Sequence, residues 1–249
     1  MIKEVASLQH PLIKHFVRLR QDKDYRNENQ SVVITGKTMI EEVCSRHRTK
    51  TLMIVDIALI PTGIKIDNIV LVSDAIMQKV TGMVSSEGIA AEVFMPPKAT
   101  LAGLNYIFAF DGISDPGNLG TLLRSGLALG WQGAFILNSS CDPYNDKALR
   151  VAKGATFRLP IAMGSWEDLT KIVQTNQLHP LAADITGTPL ERVKAPEKIL
   201  LVLGNETHGL SLEAQRLCQT VTIPMPGEME SLNVAVAGSI LMYVLRNSL

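Results

Sequence analysis

The chain has 249 residues, 46% hydrophobic and 19% charged, with 24 basic side chains balanced by 24 acidic ones. This suits one large or two modest soluble α/β domains and argues against a general polyanion binder, whose basic excess would show in the net charge. Three scattered cysteines without C-x-x-C spacing indicate neither a disulfide framework nor a zinc site, and the longest apolar run, residues 232–245, is too short and interrupted to span a bilayer.

Leu8, Leu12, Ile13, Phe16 and Leu19 recur at helical spacing with Lys14, Arg18 and Arg20 between them, which predicts an amphipathic helix near the start. Residues 1–9 lack the basic start and hydrophobic core of a signal peptide, so a cytoplasmic location is expected. Residues 21–30 hold only Tyr25 as a sizeable apolar side chain and read as a turn or flexible segment. Strands are then expected at 32–34, 51–55, 69–72 and 90–94, with helices at 37–46 and from near Ser73. Pro96 and Pro97 form the expected linker, because tandem prolines stop both helix and sheet. Residues 1–50 carry 10 Lys/Arg against 6 Asp/Glu, whereas residues 100–249 carry 11 against 13. Phosphate neutralisation would therefore lean on the N-terminal part, although so small an excess also suits a merely solvated surface.

From Tyr106 the rhythm changes to longer βα units. Residues 106–110 read as a strand buried on both faces, as in a parallel sheet. Asp111-Gly-Ile-Ser-Asp-Pro-Gly-Asn118 is turn chemistry leading into a helix that puts Leu119, Leu122, Leu123 and Leu127 on one side and ends at Gly130. Further strands are expected at 133–137, 181–183, 199–203 and 221–223. Strand, helix, strand in repetition means a mostly parallel sheet with helices on both faces.

Four places carry chemistry. Ile223-Pro-Met-Pro-Gly-Glu-Met-Glu-Ser-Leu-Asn-Val-Ala-Val236 links a buried strand to a buried helix, a natural place for a ligand. The plain alternative is a connection in which Ser231 or Asn233 caps the helix. Arg124 is the only charge in its predicted helix, and a lone arginine there ordinarily snorkels to solvent. Asn118 suits a helix cap. Glu206 follows Gly204 at a strand's carboxyl end, where α/β ligands bind, and reads equally as an exposed loop acid. The chain has no G-x-x-x-x-G-K-[ST] and no G-x-G-x-x-G after a strand, so ATP and NAD are poorly supported. The five histidines are dispersed; only His208 falls near these segments, and it reads as a surface histidine.

Asn118-Leu-Gly-Thr-Leu-Leu-Arg124-Ser-Gly-Leu-Ala-Leu-Gly130 resembles the first motif of the SpoU (TrmH-like) RNA 2′-O-ribose methyltransferases of the SPOUT superfamily. Leu203-Gly-Asn-Glu-Thr-His-Gly-Leu210 resembles their second motif, and Ile223 to Val234 their third, in the family's order and spacing. Ser7-Leu-Gln-His-Pro-Leu-Ile-Lys14 and Ile34-Thr-Gly-Lys-Thr-Met-Ile-Glu-Glu42 resemble its N-terminal part more loosely, with Thr35-Gly36 where Glu-Gly is usual. Arg150-Val-Ala-Lys-Gly-Ala-Thr-Phe157 resembles a further segment on the RNA side of the cleft, with Lys153 where a serine is common.

The resemblance implies an α/β protein of two domains. Residues 99–249 would form a SPOUT trefoil-knot domain that binds S-adenosyl-L-methionine (SAM). Residues 1–98 would form a smaller L30e-like RNA substrate-binding domain with an N-terminal helical extension. The implied reaction moves a methyl group from SAM to a ribose 2′-hydroxyl in structured RNA, 23S rRNA being the first expectation. A tRNA-directed enzyme and a catalytically silent RNA-binding or ribosome-assembly factor are the rivals. Arg124, Asn118, Glu206, Ser231 and Asn233 match the family's catalytic positions. Leu203, Gly204, Ile223, Met225 and Leu232 match its cofactor-binding segments. A homodimer is implied too, with neither metal nor membrane.

Overall fold

The computed structural model describes residues 2–194 and 196–247. The chain divides into two compact units, Met1–Pro96 with Tyr144–Phe157, and Pro97–Pro143 with Arg158–Leu249. Met1 and Leu249, which end the expected domains, lie outside the described residues. Among those described, no helix is long and apolar enough to cross a membrane.

The first unit begins with β1 (Ile2–Val5), α1 (Pro11–Gln21), α2 (Lys23–Asn29), β2 (Ser31–Thr35) and α3 (Lys37–Cys44). It continues with β3 (Thr49–Ile54), β4 (Ile66–Val72), α4 (Asp74–Thr81) and β5 (Ile89–Phe94). The sheet order is β1-β4-β3-β5-β2; β4 runs parallel to β1 and β3, and β5 is antiparallel to β3 and β2. Ile13, Phe16 and Leu19 of α1 pack with Ile76 and Val80 of α4 over Val33, Met53 and Val70. A second layer gathers Ile40 and Val43 of α3 over Val32, Ile34, Leu52 and Val93.

The segment expected to be a turn contains α2. Its signal lay in the caps rather than in apolar periodicity. The Asp22 carboxylate accepts the Tyr25 N–H, and Gln30 ends the helix in the left-handed region at φ 48°.

Glu92 of β5 is the most embedded carboxylate of this unit, 4% exposed. Its Oε1 accepts the Ser31 hydroxyl at 2.8 Å and lies 3.2 Å from His15 Nε2 and 3.4 Å from Lys50 Nζ. The His15 Nδ1 is 2.9 Å from the Tyr25 hydroxyl, which links α1, α2 and the sheet through one carboxylate. Burial works against the charge on Glu92. Hydrogen bonds from His15 and Ser31 and the charges of His15 and Lys50 outweigh it and hold the carboxyl below its ordinary value.

The second unit opens with β6 (Tyr106–Asp111), α5 (Pro116–Ala128) and β7 (Gly133–Leu137). The chain then enters the first unit as α6 (Asp146–Ala152) and α7 (Ala155–Arg158). There Tyr144, Leu149 and Phe157 join the layer of α3. By sequence this stretch falls within the expected domain of residues 99–249. Its side chains are apolar in either setting, and only tertiary packing decides where they are buried. Lys153, the residue that departs from the family pattern, is the left-handed C-cap of α6, at φ 49°.

Back in the second unit come β8 (Ile161–Gly164), α8 (Trp166–Asn176), β9 (His179–Pro189) and β10 (Ile199–Gly204). The chain finishes with α9 (Leu212–Leu217), β11 (Gln219–Thr222) and α10 (Val234–Asn247). Every pairing in this sheet is parallel, in the order β11-β9-β10-β6-β7-β8. From β6 the strands proceed outward through β7 and β8, and the chain then builds on the other side of β6. The order therefore reverses between β6 and β10, where Asp111 and Gly204 stand side by side at the carboxyl ends. In open parallel sheets such a reversal leaves a crevice suited to a ligand. Gly238 lets α10 approach closely, since a Cβ there would lie 2.6 Å from Leu122 of α5 and 2.9 Å from Leu203 of β10.

Candidate active site

A cleft of about 690 Å³ opens at these strand ends. Its walls come from the middle of β9 (Ala183 to Thr186), the loop after β10 (Gly204 to Gly209), the loop after β11 (Ile223, Met225, Ser231, Leu232) and the start of α10. The cofactor residues expected from sequence are brought together here, apart from Leu203. That side chain is fully buried and packs where α10 passes Gly238, because neighbouring strand residues face opposite sides of the sheet, whereas Gly204 beside it lines the cleft. Gly204 is required by space: a Cβ would lie 2.7 Å from the Gly209 carbonyl oxygen, so the loop could not fold back onto the strand end.

The polar residues of the three motifs form one hydrogen-bonded chain at the rim. Glu206 Oε2 accepts the Ser114 hydroxyl at 3.1 Å and the Ser114 N–H at 3.3 Å. Its Oε1 accepts the Asn118 amide at 2.9 Å. Asn118 Oδ1 in turn accepts the Asn233 amide at 3.1 Å, and Asn233 Oδ1 caps α10 by accepting the Ala235 N–H at 2.9 Å. Asn118 is therefore free of capping duty: Asp115 caps α5, accepting the Asn118 N–H at 2.9 Å. Asn233 does both jobs at once. Partial burial disfavours charge on Glu206, but the bonds from Asn118, its own backbone and Ser114 outweigh that and hold the carboxyl below its ordinary value.

Ser231 and Leu232 line the cleft and are exposed. Arg124 does not line it. It is exposed on α5 and has no hydrogen-bond or ion-pair partner among the described residues. Its neighbour Ser125 bonds Ser239 of α10 at 2.9 Å, so α5 and α10 are locked together beside it. His208 belongs to the wall, with Nδ1 3.1 Å from Asn205 Oδ1.

Three contributors were not read from sequence. Ser114 lies in turn chemistry just before motif one, Asn205 inside motif two, and Asp184-Ile-Thr186 within β9. Burial pushes the Cys141 thiol up to about 11 and Cys218 to about 12, so neither provides a thiolate near neutral pH. Among the described residues no group of three His, Cys, Asp or Glu side chains converges on a metal-sized site.

Fold and cleft together define an α/β protein with a ligand-sized cleft at the switch point of a parallel sheet. A family model described as the SpoU rRNA Methylase family matches residues 105–243, more than half of the chain, and the chain belongs to that family. It is 28% identical over 251 residues to the 23S rRNA (guanosine(2553)-2′-O)-methyltransferase RlmP of Bacillus subtilis (strain 168), across 98% of this chain and 100% of that one. An AdoMet-bound rRNA methyltransferase from Sinorhizobium meliloti superposes with a TM-score of 0.85 at 26% identity, covering 98% of this chain and 97% of the other. The SpoU methyltransferase AviRb from Streptomyces viridochromogenes, in complex with AdoMet, shares the fold with a TM-score of 0.86 at 23% identity, over 96% and 97% of the two chains. The family expected from the three motifs is the family found.

Proposed function

We propose that this protein transfers a methyl group from SAM to a ribose 2′-hydroxyl of 23S rRNA. The observation that carries the reading is the Ser114–Glu206–Asn118–Asn233 chain, which joins the three motifs at the rim of a cleft at the sheet's switch point. The cleft fits the cofactor: its volume suits a small molecule, and Gly204, Ile223 and Met225 offer main-chain groups for an adenine with Leu232 packed beside it. When bound, SAM supplies an electrophilic methyl on its sulfonium.

The protein's own groups orient and stabilise. Both Glu206 oxygens are engaged, so its role is to fix the Asn118 amide rather than to take a proton from the ribose. Asn118 retains one amide hydrogen and Ser231 its hydroxyl for the substrate. Arg124 is read as the group that grips an RNA phosphate and stabilises the alkoxide as it forms. Its lack of any partner among the described residues supports that reading.

The proposal extends to the parts around the cleft. The second unit is taken as a SPOUT trefoil knot, an exception to the usual absence of knots. The first unit is taken as an L30e-like domain that recognises the RNA, a reading supported by its mixed sheet with helical layers. Val236, Ile240 and Tyr243 recur at i, i+4 and i+7 on α10 with exposures of 49%, 37% and 57%, and this stripe is read as the homodimer face. A cytoplasmic location goes with the substrate. Ribose-methylation mapping of 23S rRNA from cells with and without the gene tests the reading. One site should lose its methyl group, and an unchanged rRNA map with a lost tRNA methyl would redirect it to tRNA.

A further inference from the structure

Asn205 uses both ends of its amide to join two of the strand exits. Its backbone closes a tight loop on Gly209, with its N–H 2.9 Å from the Gly209 carbonyl and the Gly209 N–H 3.0 Å from its own. The side-chain Oδ1 accepts the N–H groups of Thr207 at 2.8 Å and His208 at 2.9 Å, so the acceptor end shapes the loop that carries Glu206. The donor end leaves that loop. Asn205 Nδ2 donates to the Gly112 carbonyl at 2.6 Å, just past β6.

Gly112 is itself held. It sits at φ +77°, and its N–H donates at 3.0 Å to Ser140 Oγ, whose hydroxyl donates to the Phe110 carbonyl at 2.9 Å. The exit of β6 is thus a fixed anchor, and Asn205 is the tie that runs to it from the cleft wall. Without the tie, the wall from Glu206 to Gly209 would be registered to the β6 exit and motif one by the rim bonds of Glu206 to Ser114 and Asn118, which are exposed to competing water, and by the Ser211 N–H on Asp111 beyond its far end.

We infer that Asn205 is a positioning residue that sets cofactor affinity by registering the motif-two wall of the cleft to Gly112. The inference rests on the proposed reading of the cleft as the SAM site.

Asn205→Asp separates the two ends of the amide. The carboxylate keeps the acceptor for Thr207 and His208 but has no hydrogen for Gly112, and it sets an oxygen against a carbonyl oxygen. Calorimetry of the wild-type chain with SAM comes first: a wild type that bound none would overturn the functional reading and this inference with it. Given wild-type binding, Asn205→Asp should raise the SAM dissociation constant about tenfold, the scale of one hydrogen bond replaced by repulsion. The KM for RNA should stay within twofold and the melting temperature within a few degrees. Asn205→Ser, whose hydroxyl still serves the loop but cannot reach Gly112, should weaken SAM binding in the same direction and decides the matter if the Asp variant does not fold. SAM affinity within twofold of wild type in the folded variants would overturn the inference. So would a rise in RNA KM as large as the loss of SAM affinity, since the effect would then be a general loosening.

Discussion

Glu92 and Glu206 each gather partners from segments far apart in the sequence, but in opposite surroundings. Glu92 is buried and answered by His15, Lys50 and a serine hydroxyl. Glu206 is exposed at the rim of a cleft and is answered by neutral donors, an amide, a hydroxyl and a backbone N–H. A carboxylate removed from water needs cations or strong donors to stay ionised, and its loss leaves them buried and uncompensated. A carboxylate at an open rim contributes little to folding, and what it holds in place is the geometry of its partners. The first belongs to architecture, and under the proposed function the second belongs to chemistry.

The comparison breaks most visibly at Glu92. Glu92→Ala should cost about 3 kcal/mol of stability, the low end for one partner removed from a buried ion pair. The thermal midpoint should fall by roughly 10 °C for a chain of this size. A loss under about 1 kcal/mol in denaturant titration would show that His15 and Lys50 find other partners or water, and that the cluster is not architectural.

Arg124→Ala should leave SAM affinity intact and lower the single-turnover rate of methyl transfer at least about 100-fold, the scale of one lost transition-state donor. A rate within a few-fold of wild type would place Arg124 among surface arginines. Glu206→Gln sharpens the contrast with Glu92. Its amide hydrogens would face Ser114 or Asn118, both already donors, so the rate should fall about tenfold while stability changes by less than about 0.5 kcal/mol. A stability loss matching that of Glu92→Ala would erase the distinction between the two carboxylates.

The smallest effect is in pH. The Glu92 carboxyl is held below its ordinary 4.5 in the folded chain. Its contribution to stability is therefore complete above that value and is lost as pH falls through the lower folded one. Glu92→Gln should flatten this acid limb of the stability profile. An unchanged limb in a pH-resolved denaturant series would assign it to other carboxylates.

Much of the second unit was legible because its elements announce themselves locally. Residues 106–110 and 199–203 are apolar runs of strand length, and the leucines of α5 repeat at helical spacing. The motif residues were legible for a different reason, a resemblance that no periodicity supplies. What remained hidden depended on three dimensions. No pattern distinguishes Asn118 as a cap from Asn118 as a partner of Glu206, since Asp115 three residues earlier does the capping. Leu203 reads as part of the cofactor segment through its main chain, and that its side chain packs into the core is visible only in three dimensions. The edge strand β1 was missed because only Val5 of its four residues is buried, which leaves no alternation to read.

The path of residues 144–157 bears on how this protein could be taken apart. Pro96-Pro97 looks like the seam between two modules, but the chain crosses from one unit to the other again around Pro143 and Phe157. Tyr144, Leu149 and Phe157 supply part of the first unit's interior, so a fragment starting near Thr100 would carry away pieces its counterpart needs and leave them in water. A nick at the proline pair would leave two polypeptides still interlaced through that borrowed stretch. The modules are distinct as bodies, but neither can be excised, swapped or grafted at a single junction.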